Sequence, residues 1–392
     1  MRLGDCCKTN LHTYSDKEKW SLIRYLDTGS ITEGRIDEIQ TLYPGVDKIP
    51  SRARRKASVG DILFSTVRPN QKHYGIIEAG TENLLVSTGF TVVTVDTTIA
   101  DPYFFYYYLT QSSVIESLQA IAEQSTSTYP SIKPSDIEDI ELDLPELETQ
   151  KKIGSTLRML DRKIVLNEEI NDNLEQQAQA IYHERFETVS PNDLPSDWRI
   201  VTLGEVATIS NKSFNPLKEP EILLEHYSIP AFDEARFPVF ELSTSIKSNK
   251  FIIDASCFMI SKLNPTTKRV WKPYCLTGNA VCSTEFIVYK AKDQSITDFL
   301  YSVIDSGSFS DFMCSHVTGS TGSRQRTTPS DTLSYELILP SEDELAEFQS
   351  LVSPMYAQMR INAIENDKLK RLRDSLLPKL MSGEIDVSSV HL

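Results

Sequence analysis

A single apolar repeat in residues 146–187 restricts how this chain can fold. Apolar side chains recur there at alternating intervals of four and three residues, which is typical of a helix that pairs with a second helix. Two of the repeat positions hold asparagine, Asn167 and Asn171. A buried asparagine lowers stability but fixes the register of a helix pair, so the pattern predicts one long helix with a specific partner. The repeat positions are Ile153, Leu157, Leu160, Ile164, Asn167, Asn171, Leu174, Ala178 and Ile181.

The predicted partner helix lies in the same chain, 195 residues further on. Its two asparagines, Asn362 and Asn366, fall in phase with the first pair. We expect antiparallel packing, with Asn167 facing Asn366 and Asn171 facing Asn362, because this relates the two halves of the chain by a pseudo-two-fold axis. The alternative is that each helix is only the core helix of its own domain. The second set of repeat positions is Phe348, Val352, Met355, Met359, Asn362, Asn366, Leu369, Arg373 and Leu376.

Short motifs outside the helices recur as well, at an offset that drifts from 200 to 195 residues. Residues 85–90 (LVSTGF) correspond to 281–286 (VCSTEF), and the PSD motif at 134–136 recurs at 329–331. The whole chain is therefore predicted to be doubled. The predicted fold class is α+β: two tandem α/β domains alternate with two long helices that pair as an antiparallel coiled coil. The predicted segments are domain 1–145, helix 146–187, domain 188–340 with its linker, and helix 341–392.

Two features inside the predicted domains bear on their structure and function. The stretches 83–95 and 280–291 are rich in β-branched residues, and each predicts a buried pair of strands. Residues 101–118 predict a helix with Pro102 in its first turn. This helix carries the aromatic run 103–108, which suits either base stacking or packing in a core. Packing is the preferred interpretation.

The charge balance argues in two directions. The 392 residues carry a net charge of −15, which taken alone disfavours a nucleic-acid partner. Binding depends on local patches, however, and the basic residues are clustered. One cluster falls within residues 52–56 and another within 262–272. We interpret both as possible phosphate contacts, with a solvated charged surface as the alternative.

Several classes of protein find no support in the sequence. No apolar run approaches the ~20 residues that span a bilayer, and residues 1–10 lack the apolar core of a secretory signal, so a cytoplasmic location is predicted without membrane association. The six cysteines form no CxxC pair, which favours reduced thiols and no metal site. No nucleotide-binding or methyl-transfer motif is complete. An enzyme is thus the weaker hypothesis, and a device that recognises two separated features is the stronger one.

Taken in order, the motifs resemble those of the specificity subunit of type I restriction-modification systems. The segment 144–186 is similar to the central conserved region of that family, and LKRLRDSLLPKLMSGEIDV (369–387) is similar to its C-terminal region. In the second half, two segments resemble the internal motifs of a target recognition domain: KLNPTTKRVWKP (262–273) and GSTGSRQRTTPSD (319–331). In the first half, the segments that resemble the same motifs are STGFTVV (87–93) and STSTYPSIKPSD (125–136).

This resemblance implies a function and a set of partners. Each domain would recognise one half of a split double-stranded DNA sequence, and the paired helices would set the distance between the halves. Two modification subunits, which carry S-adenosylmethionine and methylate adenine, would bind the helices and domain flanks. Restriction subunits would complete the nuclease. The chain itself would hold no cofactor and would not catalyse.

Base-reading candidates follow from the pairing of Arg with guanine and of Asn or Gln with adenine. The strongest are Arg324, Gln325 and Arg326, in a loop whose small residues allow a close backbone approach. A solvated surface loop is the alternative. The predicted DNA contacts of the first domain are Arg52, Arg54, Arg55, Lys56, Arg68, Lys72, Ser125, Thr126, Ser127, Thr128, Tyr129 and Lys133. Those of the second domain are Lys262, Asn264, Lys268, Arg269, Lys272, Ser320, Thr321, Ser323, Arg324, Gln325 and Arg326.

The predicted helix has a length that suits this function. Residues 153–186 would span about 50 Å at ~1.5 Å per residue, and half-sites one DNA turn apart lie ~34–36 Å from each other. A related recognition subunit of a methylation-only system fits equally well. A rival of another class is a protein-binding scaffold of two domains on a coiled coil. Salt dependence separates these classes, because DNA binding weakens steeply as salt rises.

Overall fold

The computed structural model describes residues 1–125, 129–318 and 325–387. The chain forms two compact units, one from Met1–Lys163 with Leu369–Leu392 and the other from Ile164–Lys368. Two long helices, α4 and α9, contribute residues to both units. Within the described ranges no helix is long and apolar enough to cross a membrane. The described helices are α1 Pro102–Leu109, α2 Ser112–Glu123, α3 Pro134–Glu138, α4 Leu147–Tyr182, α5 Leu203–Val206, α6 Ile229–Ala235, α7 Thr297–Asp305, α8 Gly307–Ser315 and α9 Glu342–Met381.

The first unit contains two four-stranded sheets. One has the order β1-β10-β7-β8 and is antiparallel, and the other has the order β5-β2-β9-β6, with β2 and β9 parallel. The short strands β3 and β4 form a separate hairpin. The strands are β1 Cys7–Thr9, β2 Ile23–Leu26, β3 Ile31–Thr32, β4 Arg35–Ile36, β5 Gln40–Leu42, β6 Ala53–Lys56, β7 Ile62–Ser65, β8 Tyr74–Ile76, β9 Leu84–Ser87 and β10 Phe90–Val95.

The second unit repeats this strand order. Its sheet β12-β20-β17-β18 corresponds to β1-β10-β7-β8, and its sheet β13-β16-β19-β14-β15 contains the counterpart of the other. The pairs β11–β23 and β21–β22 are additional. The strands are β11 Arg199–Thr202, β12 Ala207–Ile209, β13 Ser213–Phe214, β14 Leu223–Tyr227, β15 Val239–Leu242, β16 Lys250–Ile252, β17 Cys257–Ser261, β18 Val270–Trp271, β19 Ala280–Ser283, β20 Phe286–Ala291, β21 Val317–Thr318, β22 Arg326–Thr327 and β23 Glu336–Leu339.

The two predicted strand pairs exist as strands but not as pairs. β9 pairs with β2 and β6, whereas β10 pairs with β1 and β7 in the other sheet. β19 and β20 separate in the same way. A run of β-branched residues indicates a strand that is buried on both faces, but it does not indicate which strand lies beside it. The prediction of paired neighbours was therefore wrong.

The aromatic run of the first unit packs in its core. Asp101 caps α1 through its Oδ1 atom, which accepts a hydrogen bond from Phe104 N at 2.9 Å. Phe104 and Phe105 are almost fully buried, and the Tyr106 and Tyr107 rings lie beside them in the same core. Such burial leaves these rings no face for a DNA base. The packing interpretation of residues 103–108 is correct.

The two long helices pack against each other in antiparallel orientation. In the second unit, Asn167 Nδ2 donates to Asn366 Oδ1 at 2.8 Å, and Asn362 Nδ2 donates to Asn171 Oδ1 at 2.8 Å. Asn167, Asn362 and Asn366 are buried. The predicted fold class is confirmed: the protein is α+β, with two β-rich domains and two long paired helices.

Candidate nucleic-acid interface

A loop that follows β7 meets a second loop in the first unit. We call this arrangement loop cluster 1; it comprises residues 65–68, 89 and 129–132. The side chain of Ser65, the last residue of β7, turns the chain by donating from Oγ to Val67 O at 3.0 Å. The backbone hydrogen bonds of loop cluster 1 run from Thr66 N to Gly89 O (2.8 Å), from Arg68 N to Pro130 O (3.0 Å) and from Ile132 N to Thr66 O (2.8 Å).

The second unit contains the same backbone arrangement at the end of β17. Loop cluster 2 comprises residues 261–264, 285 and 325–327. Ser261 Oγ donates to Leu263 O at 3.1 Å, which reproduces the serine turn of loop cluster 1. The backbone hydrogen bonds of loop cluster 2 run from Lys262 N to Glu285 O (2.9 Å), from Asn264 N to Gln325 O (2.9 Å) and from Thr327 N to Lys262 O (3.1 Å).

Each cluster holds one non-glycine residue in the left-handed backbone region. These residues are Arg68, with φ 49°, and Asn264, with φ 48°. Such a conformation is disfavoured for residues with a Cβ atom and persists where surrounding contacts enforce it. Here the serine turn on one side and the backbone hydrogen bond to the second loop on the other hold it in place. Both positions were predicted as DNA contacts, and the structure places them at the same point of the repeat.

The side chains at equivalent positions differ between the clusters. In loop cluster 2, the Arg326 guanidinium donates from Nε and Nη2 to the two carboxylate oxygens of Glu285, at 3.0 and 3.1 Å. These hydrogen bonds to Glu285 raise the pKa of Arg326 and orient its planar head. In loop cluster 1, Gly89 and Ser131 occupy these positions. There the exposed Arg68 guanidinium lies over the Tyr129 ring, 5.1 Å from its centroid.

Gly89 packs closely against the side chain of Thr28. A Cβ atom at this position would lie 2.8 Å from Thr28 Cγ2 and 3.5 Å from Ser87 Oγ. The first distance is well inside ordinary van der Waals contact, so Thr28 would have to move. Loop cluster 1 can therefore hold the carboxylate that Glu285 supplies in loop cluster 2 only if the Thr28 side chain shifts.

The basic residues at 52–56 lie on and beside β6. Arg52 is exposed, and Lys56 pairs with Glu18 Oε2 at 2.5 Å while lying over the Trp20 ring. The Nε atom of Arg55 is buried and has no hydrogen-bond partner among the described residues, and burial lowers the pKa of Arg55. Arg54 lines a surface cavity of about 400 Å³ together with Trp20. The four side chains thus have different surroundings despite their adjacency in sequence.

Three basic residues of the second domain form ion pairs within their own unit. Lys268 Nζ lies 2.8 Å from Asp305 Oδ1, and Arg269 makes a bidentate pair with Asp233 at 2.6 and 2.9 Å. Lys272 pairs with Asp298 and lies over the ring of Tyr356 on α9. Asp305 is almost fully buried, and burial raises its pKa to about 6 although Lys268 acts in the opposite direction. These three members of the cluster seen in the sequence are therefore neutralised locally by acidic residues that are distant along the chain.

The remaining candidates lie around the two clusters. Lys72 pairs with Glu33, whereas Lys133 and Tyr129 are exposed. Ser125 and Gln325 are partly buried at the loop ends. Seven candidates fall outside the described residues: Thr126, Ser127, Thr128, Ser320, Thr321, Ser323 and Arg324.

The sequence interpretation missed three of the four residues that occupy two equivalent positions of the clusters. Thr66 and Lys262 occupy one equivalent position, and Gly89 and Glu285 occupy another. Only Lys262 was predicted. The signal was available in the repeat itself, because an offset of 196 residues superimposes 65–68 on 261–264 and 89 on 285. Pairs of unlike residues within a repeated backbone framework are the positions where two domains of one design can differ in specificity.

Comparison with known proteins finds relatives of one kind. A family model described as the type I restriction modification DNA specificity domain matches residues 49–176. The type I restriction enzyme HindI specificity subunit of Haemophilus influenzae is 24% identical over 455 aligned positions, which cover 98% of both chains. The type I restriction enzyme MjaIX specificity subunit of Methanocaldococcus jannaschii is 24% identical over 360 positions, covering 84% of this chain and 79% of the relative.

A solved structure shares the fold. The S subunit of a type I restriction-modification system from M. genitalium superimposes with a TM-score of 0.56 at 15% identity, covering 97% of this chain and 95% of the other. Fold and matches together define a DNA-recognition protein with two similar domains and two paired helices. The chain belongs to the specificity subunits of type I restriction-modification systems. It is the DNA specificity subunit of such a system and not a catalytic component.

Proposed function

We propose that each β-rich domain recognises one half of a bipartite DNA target through its loop cluster. The observation that carries this proposal is the repetition of one backbone framework with different side chains. A shared framework holds each cluster in the same relation to its own domain, and the side chains then decide which bases are bound. Arg68 is suited to guanine, and Asn264 is suited to adenine.

The other members of the clusters and their surroundings supply further contacts in this proposal. Lys262 and Arg52 bind phosphates, because both side chains reach solvent beside the loops or on the basic strand. Arg326, oriented by Glu285, reads a base edge in the second half-site. Additional proposed contacts are Arg54, Arg55, Lys56, Lys72, Ser125, Thr126, Ser127, Thr128, Tyr129, Lys133, Lys268, Arg269, Lys272, Ser320, Thr321, Ser323, Arg324 and Gln325.

The paired helices set the spacing between the half-sites in this account. α4 is one helix of 36 residues, about 54 Å long at ~1.5 Å per residue. Half-sites one turn of DNA apart lie ~34–36 Å from each other, so the helix is long enough. The asparagine pairs Asn167–Asn366 and Asn171–Asn362 fix the register and with it this distance. The division of the chain into segments 1–145, 146–187, 188–340 and 341–392 belongs to the same proposal.

The partners follow from the family. We propose that two modification subunits bind the paired helices and the domain flanks, and that S-adenosylmethionine is held by those subunits. Restriction subunits join the same complex. The internal repeat favours two modification subunits, because a pseudo-two-fold axis presents the same docking surface twice. The complex acts in the cytoplasm, where its DNA substrate lies.

Methylation mapping tests this function. Genomic DNA is sequenced for methyladenine from cells that express the modification subunit with or without this chain. The proposal predicts a split motif with methyladenine in both halves, present only when the chain is expressed. An unchanged methylation pattern, with both proteins expressed and copurifying, would refute it.

Salt dependence provides a second test on the purified complex. Binding to DNA that contains the motif should weaken steeply as salt rises, since phosphate contacts release counterions. Binding that is insensitive to salt would instead support a scaffold that uses apolar contacts.

A further inference from the structure

The asparagine pairs fix the register of the long helices without identifying the partner. Asn171 Nδ2 donates to Met359 O at 3.3 Å, and Asn366 Nδ2 donates to Ile164 O at 3.3 Å. Met359 and Ile164 are equivalent positions of the repeat, so the two contacts are the same contact made in opposite directions. A second copy of α4 in place of α9 would present matching asparagines. Another feature must therefore distinguish α9 from a second α4.

A partly buried ion pair in the first unit meets this requirement. Asp161 of α4 accepts a hydrogen bond from Tyr107 OH at 2.6 Å and another from Arg373 Nη1 of α9 at 2.7 Å. The two charged side chains are 29% and 27% exposed. Burial alone would lower the pKa of Arg373, but Asp161 and Asp374 outweigh it and raise the pKa above its usual value. The pair is charged, geometrically good and partly shielded from water.

The equivalent positions in the second unit hold different groups. They are Ser302, Tyr356 and Ala178, which correspond to Tyr107, Asp161 and Arg373 in the repeat. Ser302 Oγ and Tyr356 OH are 2.7 Å apart, and both residues are buried. Ala178 is fully buried in the same core as Tyr356.

Large and small side chains thus differ between equivalent positions of the two units: Tyr107 corresponds to Ser302, and Arg373 corresponds to Ala178. The first unit combines a tyrosine on α1, a carboxylate on α4 and an arginine on α9. The second unit combines a serine on α7, a tyrosine on α9 and an alanine on α4. Each set therefore combines a residue of α4 with a different residue of α9.

We propose that these two sets of residues make α4 select α9 and reject a second α4. In an antiparallel pair of two α4 helices, Asp161 would face Ala178 of the copy and lose its cation in a partly buried site. In a pair of two α9 helices, Tyr356 would face Arg373 of the copy in place of Ala178, and that Arg373 would lose Asp161. Removing one partner of a partly buried pair is unfavourable, because the other charge stays partly shielded from water. The ion pair Asp161–Arg373 and the packing of Tyr356 with Ala178 determine the partner helix, and the asparagines determine the register.

This selection has a consequence that rests on the proposed function. A chain that pairs α4 with its own α9 joins two different recognition domains and recognises two different half-sites. An assembly held by two α4 helices would join two copies of the first domain and recognise the same half-site twice. The selection therefore keeps the target asymmetric.

Charge reversal in two full-length chains tests the proposal without any measurement of DNA binding. One chain carries Asp161→Arg, and the other, with a different affinity tag, carries Arg373→Asp. Within either chain alone the charges at this position are alike, but across the two chains both positions are matched. We expect the co-expressed chains to purify as a mixed dimer of twice the single-chain mass, while two differently tagged wild-type chains do not. Failure to form the mixed dimer, or equal dimer formation by wild-type chains, would overturn the proposal.

Two controls keep this test interpretable. A single chain with both reversals, D161R and R373D, should return to the wild-type mass and thermal stability, and a double variant that stays dimeric or unstable would contradict the proposal. The matched control is the more exposed helix–helix pair Arg185–Glu347, with 29% and 59% exposure. Co-expressed R185E and E347R chains should yield far less mixed dimer, because exposed pairs contribute little.

A third variant tests rejection of a second α4 directly. Ala178→Arg gives each α4 a cation that can pair with Asp161 of another copy. We expect A178R chains to dimerise and A178R/D161A chains to lose that dimer. Ala178→Leu is the size control: it crowds Tyr356 without supplying a charge, so dimerisation by A178L would refute the charge mechanism. Because no readout involves DNA, failure here leaves the DNA-recognition proposal untouched.

Discussion

Loop cluster 1 and loop cluster 2 have the same backbone and different side chains. Both begin with a serine turn at the end of a buried strand, and both hold one residue at positive φ near 50°. In loop cluster 1 the Arg68 side chain extends over an exposed tyrosine, and in loop cluster 2 the Arg326 side chain is fixed by a carboxylate. The comparison separates two tasks: the backbone framework positions a few side chains, and the identities of those side chains set specificity.

The largest effect is expected when a side chain of loop cluster 2 is placed into loop cluster 1. Gly89→Glu forces Thr28 to move, because the new Cβ lies 2.8 Å from Thr28 Cγ2. We expect a loss of about 1–3 kcal/mol in the free energy of unfolding, typical of overpacking. Binding at the first half-site should fall with it. Urea unfolding and half-site binding measure the two effects.

The control for this variant removes the Thr28 side chain, which the new glutamate would contact. Thr28→Gly combined with Gly89→Glu should recover most of the lost stability, and Glu285→Gly in loop cluster 2 should produce no comparable clash. If G89E alone is as stable as the wild type, then packing is not what keeps the two clusters different.

A smaller effect is expected when the carboxylate of loop cluster 2 is neutralised. Glu285→Gln removes the charge that orients Arg326, so discrimination at the second half-site should fall by about threefold to tenfold after allowance for solvent screening. Affinity for non-specific DNA should rise slightly, because a negative charge beside the DNA is lost. Competition binding with altered second half-sites measures the first effect, and altered first half-sites serve as the control. Equal losses at both halves would show that Glu285 does not act through its own cluster.

The smallest effect is expected from exchanging the residue at the start of each loop. Lys262→Thr gives loop cluster 2 the residue of loop cluster 1, and Thr66→Lys does the reverse. If Lys262 binds a phosphate, its loss should weaken binding to all sequences alike and reduce the slope of log K against log salt by about 0.9. Thr66→Lys should increase that slope by a similar amount. A change in base preference without a change in salt dependence would instead show that the residues at these positions contact bases.

The helix pair could be predicted from the sequence because its signals are local and repeated. The spacing of apolar residues defines a seam, and the asparagines at 167 and 171 recur in phase at 362 and 366. Antiparallel orientation then follows from the symmetry of the repeat. The ion pair between Asp161 and Arg373 was not predicted, because its members are separated by 212 residues and Asp161 is not one of the repeat positions.

The strand partners and the charge pairs could not be predicted for the same reason. Residues 83–95 carry the composition of buried strands, yet sheet order is set by segments far away in sequence. Arg269 and Lys272 belong to a basic cluster in the sequence, whereas the fold brings Asp233 and Asp298 to them. A cluster of like charges in sequence therefore does not define a charged surface.

The most direct test exchanges one reading residue and maps methylation in cells. Arg68→Asn gives loop cluster 1 the residue of loop cluster 2, and Arg35→Asn, at an exposed position of the same unit, serves as the control. We predict that R68N changes the base preference at one position of the first half-site, from guanine toward adenine, while the second half-site and the spacing stay the same. The R35N motif should equal that of the wild type. A change in both halves, or an unaltered motif in cells that express R68N, would contradict the claim that each loop cluster reads one half of the target.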